Sequence, residues 1–385
     1  AIDLTTLALT GVAGSGCATW TPFSGQLKPS LGRFQQLFRQ LFQQSSQKPR
    51  YNGRRSYLGP INLMRLVLAP MEGVVDLHMR ALLTSLGGLD GCVTEFVRVS
   101  NRQVLPERTF RKHCPELDTN SRTASGTPIK LQLLGGCPQT LADNARKAAE
   151  LGAIAIDLNF GCPTKTVNNS NGGACLLQYP EQIYAIVDAV RRNVPPSIPV
   201  SAKIRLGFND PSLFMENAQA VAAAGAFELT VHARSKADGY KPPAYWEYIG
   251  QIREALKIPI IANGEIWSPQ DWQRCVDQTG CDDFMLGRGI LARPDLALAI
   301  KAAAEHRDYV PMRWAQVSRL IWDYYIITKP LYPAKFLGNR VKQWLAYLRL
   351  NYPQAERLFD EIKKEKDATV FEQALLRQAS EDCET

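Results

Sequence analysis

Chemistry concentrates in the run Asn159-Phe160-Gly161-Cys162-Pro163-Thr164-Lys165. An apolar, β-favouring segment over 154–158 delivers an amide and then a thiol into a turn shaped by glycine and proline. Taken alone, Cys162 reads as a small buried hydrophobe. Its surroundings change that. The loop continues as Asn168-Asn169-Ser170-Asn171-Gly172-Gly173-Ala174, whose short polar residues and paired glycines let a backbone bend tightly or approach a ligand. Seven further polar groups each end a short apolar segment: Pro70-Met71-Glu72-Gly73, Glu95-Phe96, Gln132-Leu133-Leu134-Gly135, Lys203-Ile204-Arg205, His232-Ala233-Arg234, Asn263-Gly264-Glu265 and Gly287-Arg288-Gly289.

Each group has a chemical use. Bare glycine amides at Gly264 and Gly287, with Arg288 beside them, suit a phosphate. A cation such as Lys203, with His232 close by, could stabilise the negative charge that a reduced flavin ring carries near N1 and O2. Gln132 and the backbone of Pro70, Met71 and Glu72 could hydrogen-bond the edge of that ring. The bland alternative for Lys203 is an ion pair with Asp157 or Glu228. An ordinary thiol titrates at about 8.5, so a cysteine is mostly protonated at neutral pH and can serve as a general acid. Hydride addition at C6 of a pyrimidine 5,6-double bond leaves carbanion character at C5, which needs such a proton. A Cys–His nucleophile is the other use, if His232 reaches.

The elements that position these groups form a regular series. Apolar segments at 66–69, 92–95, 129–134, 154–158, 200–204, 228–231, 258–262 and 283–286 alternate with helical candidates at 140–151, 180–193, 214–224, 245–256, 269–279 and 294–305. Eight strand–helix units over this length predict an α/β fold, a (β/α)8 TIM barrel, at residues 63–308, with every polar tip at the C-terminal mouth. A doubly wound open sheet is the alternative, but it lacks the G-x-G-x-x-G expected after the first strand. Residues 309–385 are expected to form a helical domain. Residues 1–62 are expected to be a basic, partly disordered extension, with one amphipathic helix over Leu31 to Phe42 and no basic leader of the secretory type.

Composition narrows the classes. No run approaches a membrane span of about 18 apolar residues. Nine scattered cysteines without a C-x-x-C pair indicate neither a zinc site nor a disulfide framework, and suit a reducing cytoplasm. Of the net charge of +8, residues 1–62 supply +6, from seven basic residues against Asp3. Nucleic-acid binding by the body would therefore need local patches. Residues 326–350 offer one, with Lys329, Lys335, Arg340, Lys342 and Arg349 and no acidic residue. A helix opening at Pro333 would put Lys335, Asn339, Lys342 and Arg349 on one face, suited to a phosphate backbone. Arg98, Arg102, Arg108, Arg111 and Lys112 form a second patch after the second segment. Phe96, Tyr240 and Tyr332 are candidates for stacking on a base.

The motifs Asn159-x-Gly-Cys-Pro-Thr-Lys165 and Gly172-Gly173-Ala174-Cys175-Leu176-Leu177 resemble the signature of the tRNA-dihydrouridine synthases. The resemblance extends through Leu66 to Gly73, Thr94-Glu95, Gln132 to Gly135, Lys203-Ile-Arg205, Val231 to Arg234, Asn263-Gly-Glu265 and Gly287-Arg-Gly289, covering about residue 64 to about 365. Thr94 to Val99, Asn263 to Trp267 and Arg340 to Leu345 are most similar to the bacterial C type, associated with uridine 16 of the D-loop. The resemblance implies FMN as cofactor, NADPH as reductant with NADH as a substitute, Cys162 as proton donor, and tRNA bound partly by the C-terminal helices. By residue, Pro70, Met71, Glu72, Gln132, Lys203, His232, Asn263, Gly264, Glu265, Gly287 and Arg288 would contact FMN. Asn159 and Arg205 would lie near the target uridine, with Arg98, Lys335, Asn339, Arg340 and Lys342 on the RNA. A monomer without an obligate protein partner is expected. Two rivals stay open: an FMN barrel acting on a free pyrimidine, which has no need of the acid-free basic segment, and a non-catalytic RNA-binding barrel, which has no need of Cys162, Lys203 and His232.

Overall fold

The computed structural model describes residues 64–100 and 103–380. The extension at 1–62 and its predicted helix lie outside the described residues. Among the described residues there are nine parallel strands: β1 (Arg65–Leu68), β2 (Gly91–Val93), β3 (Val97–Arg98), β4 (Ile129–Leu134), β5 (Ile156–Phe160), β6 (Val200–Arg205), β7 (Leu229–His232), β8 (Ile260–Asn263) and β9 (Asp283–Leu286). Pairing runs in chain order from β4 to β9, β9 pairs with β1, β1 with β2, and β2 with β4, which closes an eight-stranded barrel. β3 is a two-residue addition to β4. The predicted second strand at 92–95 therefore ends early. After Val93 the Thr94 hydroxyl accepts the Gln132 N–H at 3.0 Å, so a side chain takes over where the ladder breaks.

Parallel strands buried on both faces read as apolar runs, and β1, β4, β8 and β9 are buried throughout. Val67, Ala69, Val93, Ile261 and Met285 meet inside the barrel. At the N-terminal ends of the strands the interior is ionic instead. Arg65 pairs with Glu228 at 2.9 Å and Asp283 at 2.5 Å, and Lys130 also binds Glu228, all almost fully buried. Charges buried this way are tolerated because each finds an opposite partner. This layer plugs one end and leaves the other for the site.

The outer helices follow local rules. Pro138–Glu150, Pro180–Asn193 and Pro269–Thr279 open with proline, whose missing N–H costs nothing in the first turn. Asp76 caps Leu77–Ser85 by accepting the Met79 N–H. The predicted helix at 294–305 is found as Leu296–Ala304, after a short one at Arg288–Ala292.

Four helices follow: Trp314–Thr328, Asn339–Leu348, Pro353–Ile362 and Ala368–Ser380. They enclose Tyr324, Tyr325, Trp344 and Phe371, each at most 1% exposed, and the Trp344 indole N–H bonds the Leu291 carbonyl at 3.0 Å to dock the group on the barrel. The helix expected from Pro333 to Leu350 is shorter. Gly338 adopts φ 62°, a left-handed conformation that stops a helix passing through it, so 329–336 form two 3-10 turns and the helix starts at Asn339. Lys335 thus lies on a different element from Lys342. Among the described residues no helix is long and apolar enough to cross a membrane.

Candidate active site

The strand tips converge on one cavity of about 440 Å³ at the C-terminal end of the barrel. Every strand unit contributes. The cavity is lined by Pro70, Met71 and Glu72 after β1, Phe96 before β3, Gln132 on β4, Asn159 and Cys162 on and after β5, and Lys203 and Arg205 on β6. His232 and Tyr240 follow from β7, Asn263, Gly264, Glu265 and Trp267 from β8, and Gly287 and Arg288 from β9. One further residue, Tyr347, comes from the C-terminal helices. Thus Cys162, Asn159, Arg205 and all eleven residues expected to contact a cofactor share this space. Arg98, Lys335, Asn339, Arg340 and Lys342 do not line it.

An amide chain fixes the floor. Buried Asp157 accepts the Gln132 amide N–H at 2.7 Å and the Ser201 hydroxyl at 2.6 Å, and the Asn159 amide donates to Gln132 Oε1 at 2.8 Å. Both amide orientations follow, because a carboxylate only accepts. Asn159 Oδ1 then accepts the N–H groups of Gly161 and Cys162, at 2.9 and 3.0 Å, which folds the chain sharply after β5.

Cys162 is 8% exposed and its Sγ lies 3.3 Å from the Thr164 hydroxyl. Glycines on either side of it serve its loop. A Cβ on Gly173, φ 69°, would come within 2.9 Å of the Cys162 carbonyl, and one on Gly136 would strike the Asn171 carbonyl at 1.7 Å. Arg98, expected on the RNA, also braces this loop through the Thr166 carbonyl and Ser170 hydroxyl, both at 2.8 Å. Arg205, expected near the uridine, is 2% exposed and donates to the carbonyls of Gly161, Ser235 and Gly239 at 2.9 to 3.0 Å. Its guanidinium also lies 5.1 Å from the centre of the Tyr240 ring. Both arginines position loops because a carbonyl cluster satisfies a planar fork.

Lys203 has no ion pair with Asp157 or Glu228. Glu228 is taken by Arg65 and Lys130, and Asp157 by Gln132 and Ser201. The ammonium donates to Asn263 Oδ1 at 3.1 Å, while the Asn263 amide donates to the Met285 carbonyl at 2.8 Å. Burial and the Arg205 charge push the Lys203 ammonium down to about 8, with Asp157 offsetting part. Burial, then the cations Arg205, Lys203, Arg234 and Arg288, push His232 well below its ordinary value, so at neutral pH it is an uncharged imidazole. Glu265 adopts φ 54°, a strained conformation for a side-chain-bearing residue. It is held there by Arg234 at 2.8 Å, Arg288 at 2.9 Å and the Trp267 indole N–H at 3.0 Å. Arg288 is further packed over the Tyr240 and Trp267 rings. On the rim, burial and neighbouring Glu95 raise Glu72 to about 7.

This donor set suits a phosphorylated flavin. Arg288 and the bare backbone at Gly264 and Gly287 face a cavity of ligand size, and Lys203 reaches it without an ion pair among the described residues. Thr164, Arg234, Trp267 and Tyr347 complete the site beyond the residues singled out from sequence. Thr164 and Arg234 stand inside the sequence motifs; nothing local marks Tyr347.

The cations outside the cavity divide. Arg340 pairs with Asp76 at 2.5 Å, Lys329 pairs with Glu372, and Lys342 donates to the Glu365 carbonyl at 3.0 Å. Lys335 stays exposed over the Phe336 ring, without an ion pair among the described residues, and Asn339 is exposed nearby. The acid-free segment is therefore much less free in space than in sequence. In the second patch Arg111 pairs with Glu107 at 2.6 Å and with Asp118.

Over residues 67–382 the chain matches the family described as dihydrouridine synthase (Dus). It is 51% identical over 304 residues to the tRNA-dihydrouridine(16) synthase of Pseudomonas putida, covering 79% of this chain and 94% of that one. The enzyme of the same name from Shewanella oneidensis is 53% identical over 315 residues, covering 81% and 98%. That from Ralstonia nicotianae is 47% identical over 319 residues, covering 82% and 97%. With a barrel whose strand tips form one cationic cavity around a cysteine, and such relatives over most of its length, the chain belongs to the dihydrouridine synthase family of flavin-dependent oxidoreductases.

Proposed function

We propose that this protein is a cytoplasmic, monomeric enzyme that reduces uridine 16 in the D-loop of tRNA to 5,6-dihydrouridine, with FMN as cofactor and NADPH as reductant. The observation that carries this is the shared cavity: Cys162 lines the same space as Lys203, His232 and Arg288. Relatives named tRNA-dihydrouridine(16) synthase, at 47–53% identity, support the target.

FMN, when bound, supplies the hydride for C6 of the uracil ring. The protein does the rest. Arg288 and the backbone of Gly264 and Gly287 hold the phosphate, and Lys203 sets positive charge against the ring. Neutral His232 offers a hydrogen bond without adding charge. The Cys162 S–H bond breaks as a C–H bond forms at C5, and the thiolate is reprotonated from solvent. Thr164 orients the thiol. Asn159, anchored by Gln132, faces the base. The uridine must leave its stack to enter, which is least costly in an unpaired loop. Lys335, Phe336 and Asn339 offer a charged, aromatic surface to the RNA backbone.

The test is direct. The purified protein should be yellow, release FMN on denaturation, and convert unmodified tRNA with NADPH to a product carrying dihydrouridine at position 16 alone. A colourless protein that takes up no FMN would refute the assignment. Equal reduction of free uridine would move the substrate to a small pyrimidine.

A further inference from the structure

The turn that follows Cys162 is exposed along 164–166 and again at 169–171, and it is reached from β3. Buried Val167 packs with Leu134 and Cys162, and Phe96, just before β3, packs against that group. Two residues on, Arg98 Nη2 donates to the Thr166 carbonyl and to the Ser170 hydroxyl, which itself donates to the Thr166 carbonyl at 3.0 Å. Inside the turn the Asn168 amide donates to the carbonyls of Cys162 at 3.1 Å and Thr164 at 2.7 Å. A shift at 166–170 therefore reaches the cysteine backbone through direct contacts.

A guanidinium carries five N–H groups. Those on Arg98 Nη2 are spent on the turn, while Nε and Nη1 have no hydrogen-bond partner, and the side chain no ion pair, among the described residues. β3 pairs with the C-terminal end of β4, Arg98 opposite Leu134, so this side chain stands at the same end of the barrel as the cavity. Holding a long, partly exposed side chain in one geometry costs rotamer freedom, which makes the brace weak in the free protein. A phosphate on Nε and Nη1 would fix the same guanidinium, so the outer contact and the inner one strengthen each other. Building on the tRNA-reduction reading above, we propose that Arg98 is a positioning residue for the proton donor: an RNA phosphate on its outer nitrogens locks Nη2 against 166 and 170, and so sets the turn that carries Cys162 only when substrate is docked. RNA binding and thiol placement then share one side chain.

Single-turnover reduction of tRNA by the reduced enzyme, beside hydrogen exchange over 165–170, tests this. In wild type, saturating tRNA should slow that exchange by at least about 5-fold. Arg98→Lys keeps a charge for the phosphate, but one compact ammonium cannot span both RNA and turn. Its tRNA affinity should stay within about 3-fold, its rate at saturating tRNA should fall about 10-fold, and the protection by tRNA should be lost. Ser170→Ala removes an acceptor of Arg98 and leaves the outer nitrogens alone. It should lower the saturated rate about 3- to 10-fold at unchanged tRNA affinity, and add little in an Arg98→Met background. A loss confined to tRNA affinity in Arg98→Lys and Arg98→Met, with the saturated rate unchanged, would overturn the proposal and leave Arg98 as an RNA contact alone. Protection at 165–170 that survives Arg98→Lys, or losses in Ser170→Ala and Arg98→Met that simply multiply, would overturn it too. Wild-type protein that reduces no tRNA would instead refute the function above, and unchanged exchange at 165–170 in tRNA-free Arg98→Met would still overturn the brace by itself.

Discussion

Replacing Lys203 by methionine should stabilise the cofactor-free protein while weakening its hold on FMN. The Lys203 ammonium lies at the cavity, where among the described residues it donates to the Asn263 side-chain carbonyl alone, and burial with the Arg205 charge lowers it from 10.5 to about 8. The unfolded chain therefore binds this proton more tightly than the folded one. The penalty on folding is complete below pH 8, shrinks as pH rises, and is gone above 10.5. At about 1.36 kcal/mol per pH unit that interval amounts to about 3 kcal/mol, which water at the cavity mouth reduces to about 1–2 kcal/mol. Methionine keeps most of the packing and removes the charge. Urea unfolding of FMN-stripped protein should show the variant more stable by that amount near pH 7, with the difference closing near pH 10. FMN titration should show the opposite sign, a loss of at least about tenfold, because the flavin's negative charge is what the ammonium is kept for. A variant less stable than wild type at neutral pH, or a difference that ignores pH, would refute the idea that Lys203 is held at a cost.

Three further outcomes follow from the geometry. Cys162→Ala should keep FMN and tRNA binding but lose about 100-fold or more in dihydrouridine formation, measured in a single turnover with reduced enzyme; unchanged turnover would remove the thiol from the mechanism. Glu228→Gln should cost about 3–5 kcal/mol by leaving Arg65 and Lys130 short of a buried partner. Although burial alone would raise this carboxyl, Lys130 and Arg65 hold it near 2, so its contribution is complete above pH 4.5 and lost as pH falls toward 2. Acid denaturation of the variant should be flatter across that window, and parallel profiles would count against the network. Gly338→Ala should destabilise the C-terminal helices by roughly 2–4 kcal/mol, since the new Cβ needs a left-handed φ and would lie 2.1 Å from the buried Phe371 ring. Hydrogen exchange in 339–348 measures this, and a neutral result would mean the ring moves freely.

Much of the barrel and its mouth is legible in the amino-acid sequence. Strand and tip are both local: an apolar run of parallel-sheet length ends in a polar or reactive residue, and the fold gathers all such ends at one face. That is why Cys162, Lys203, His232 and Arg288 can be grouped from their place in the series. The residues that read differently in three dimensions share a cause. Charge and resemblance point Arg340 and Arg98 toward RNA, and in the structure each also meets carbonyls or a carboxylate brought from far along the chain, Asp76 standing 264 positions from Arg340.

The sequence by itself determined which side chains occupy the strand tips, because periodicity and turn residues act over a few neighbours. Only the tertiary structure decided which charges stay free. Lys203 keeps its charge unpaired by carboxylate because Glu228 and Asp157 are claimed by other strands, and Lys329 and Arg340 are spoken for by Glu372 and Asp76. An ion pair depends on distance in space, at a few ångströms, and spacing along the chain carries no record of it.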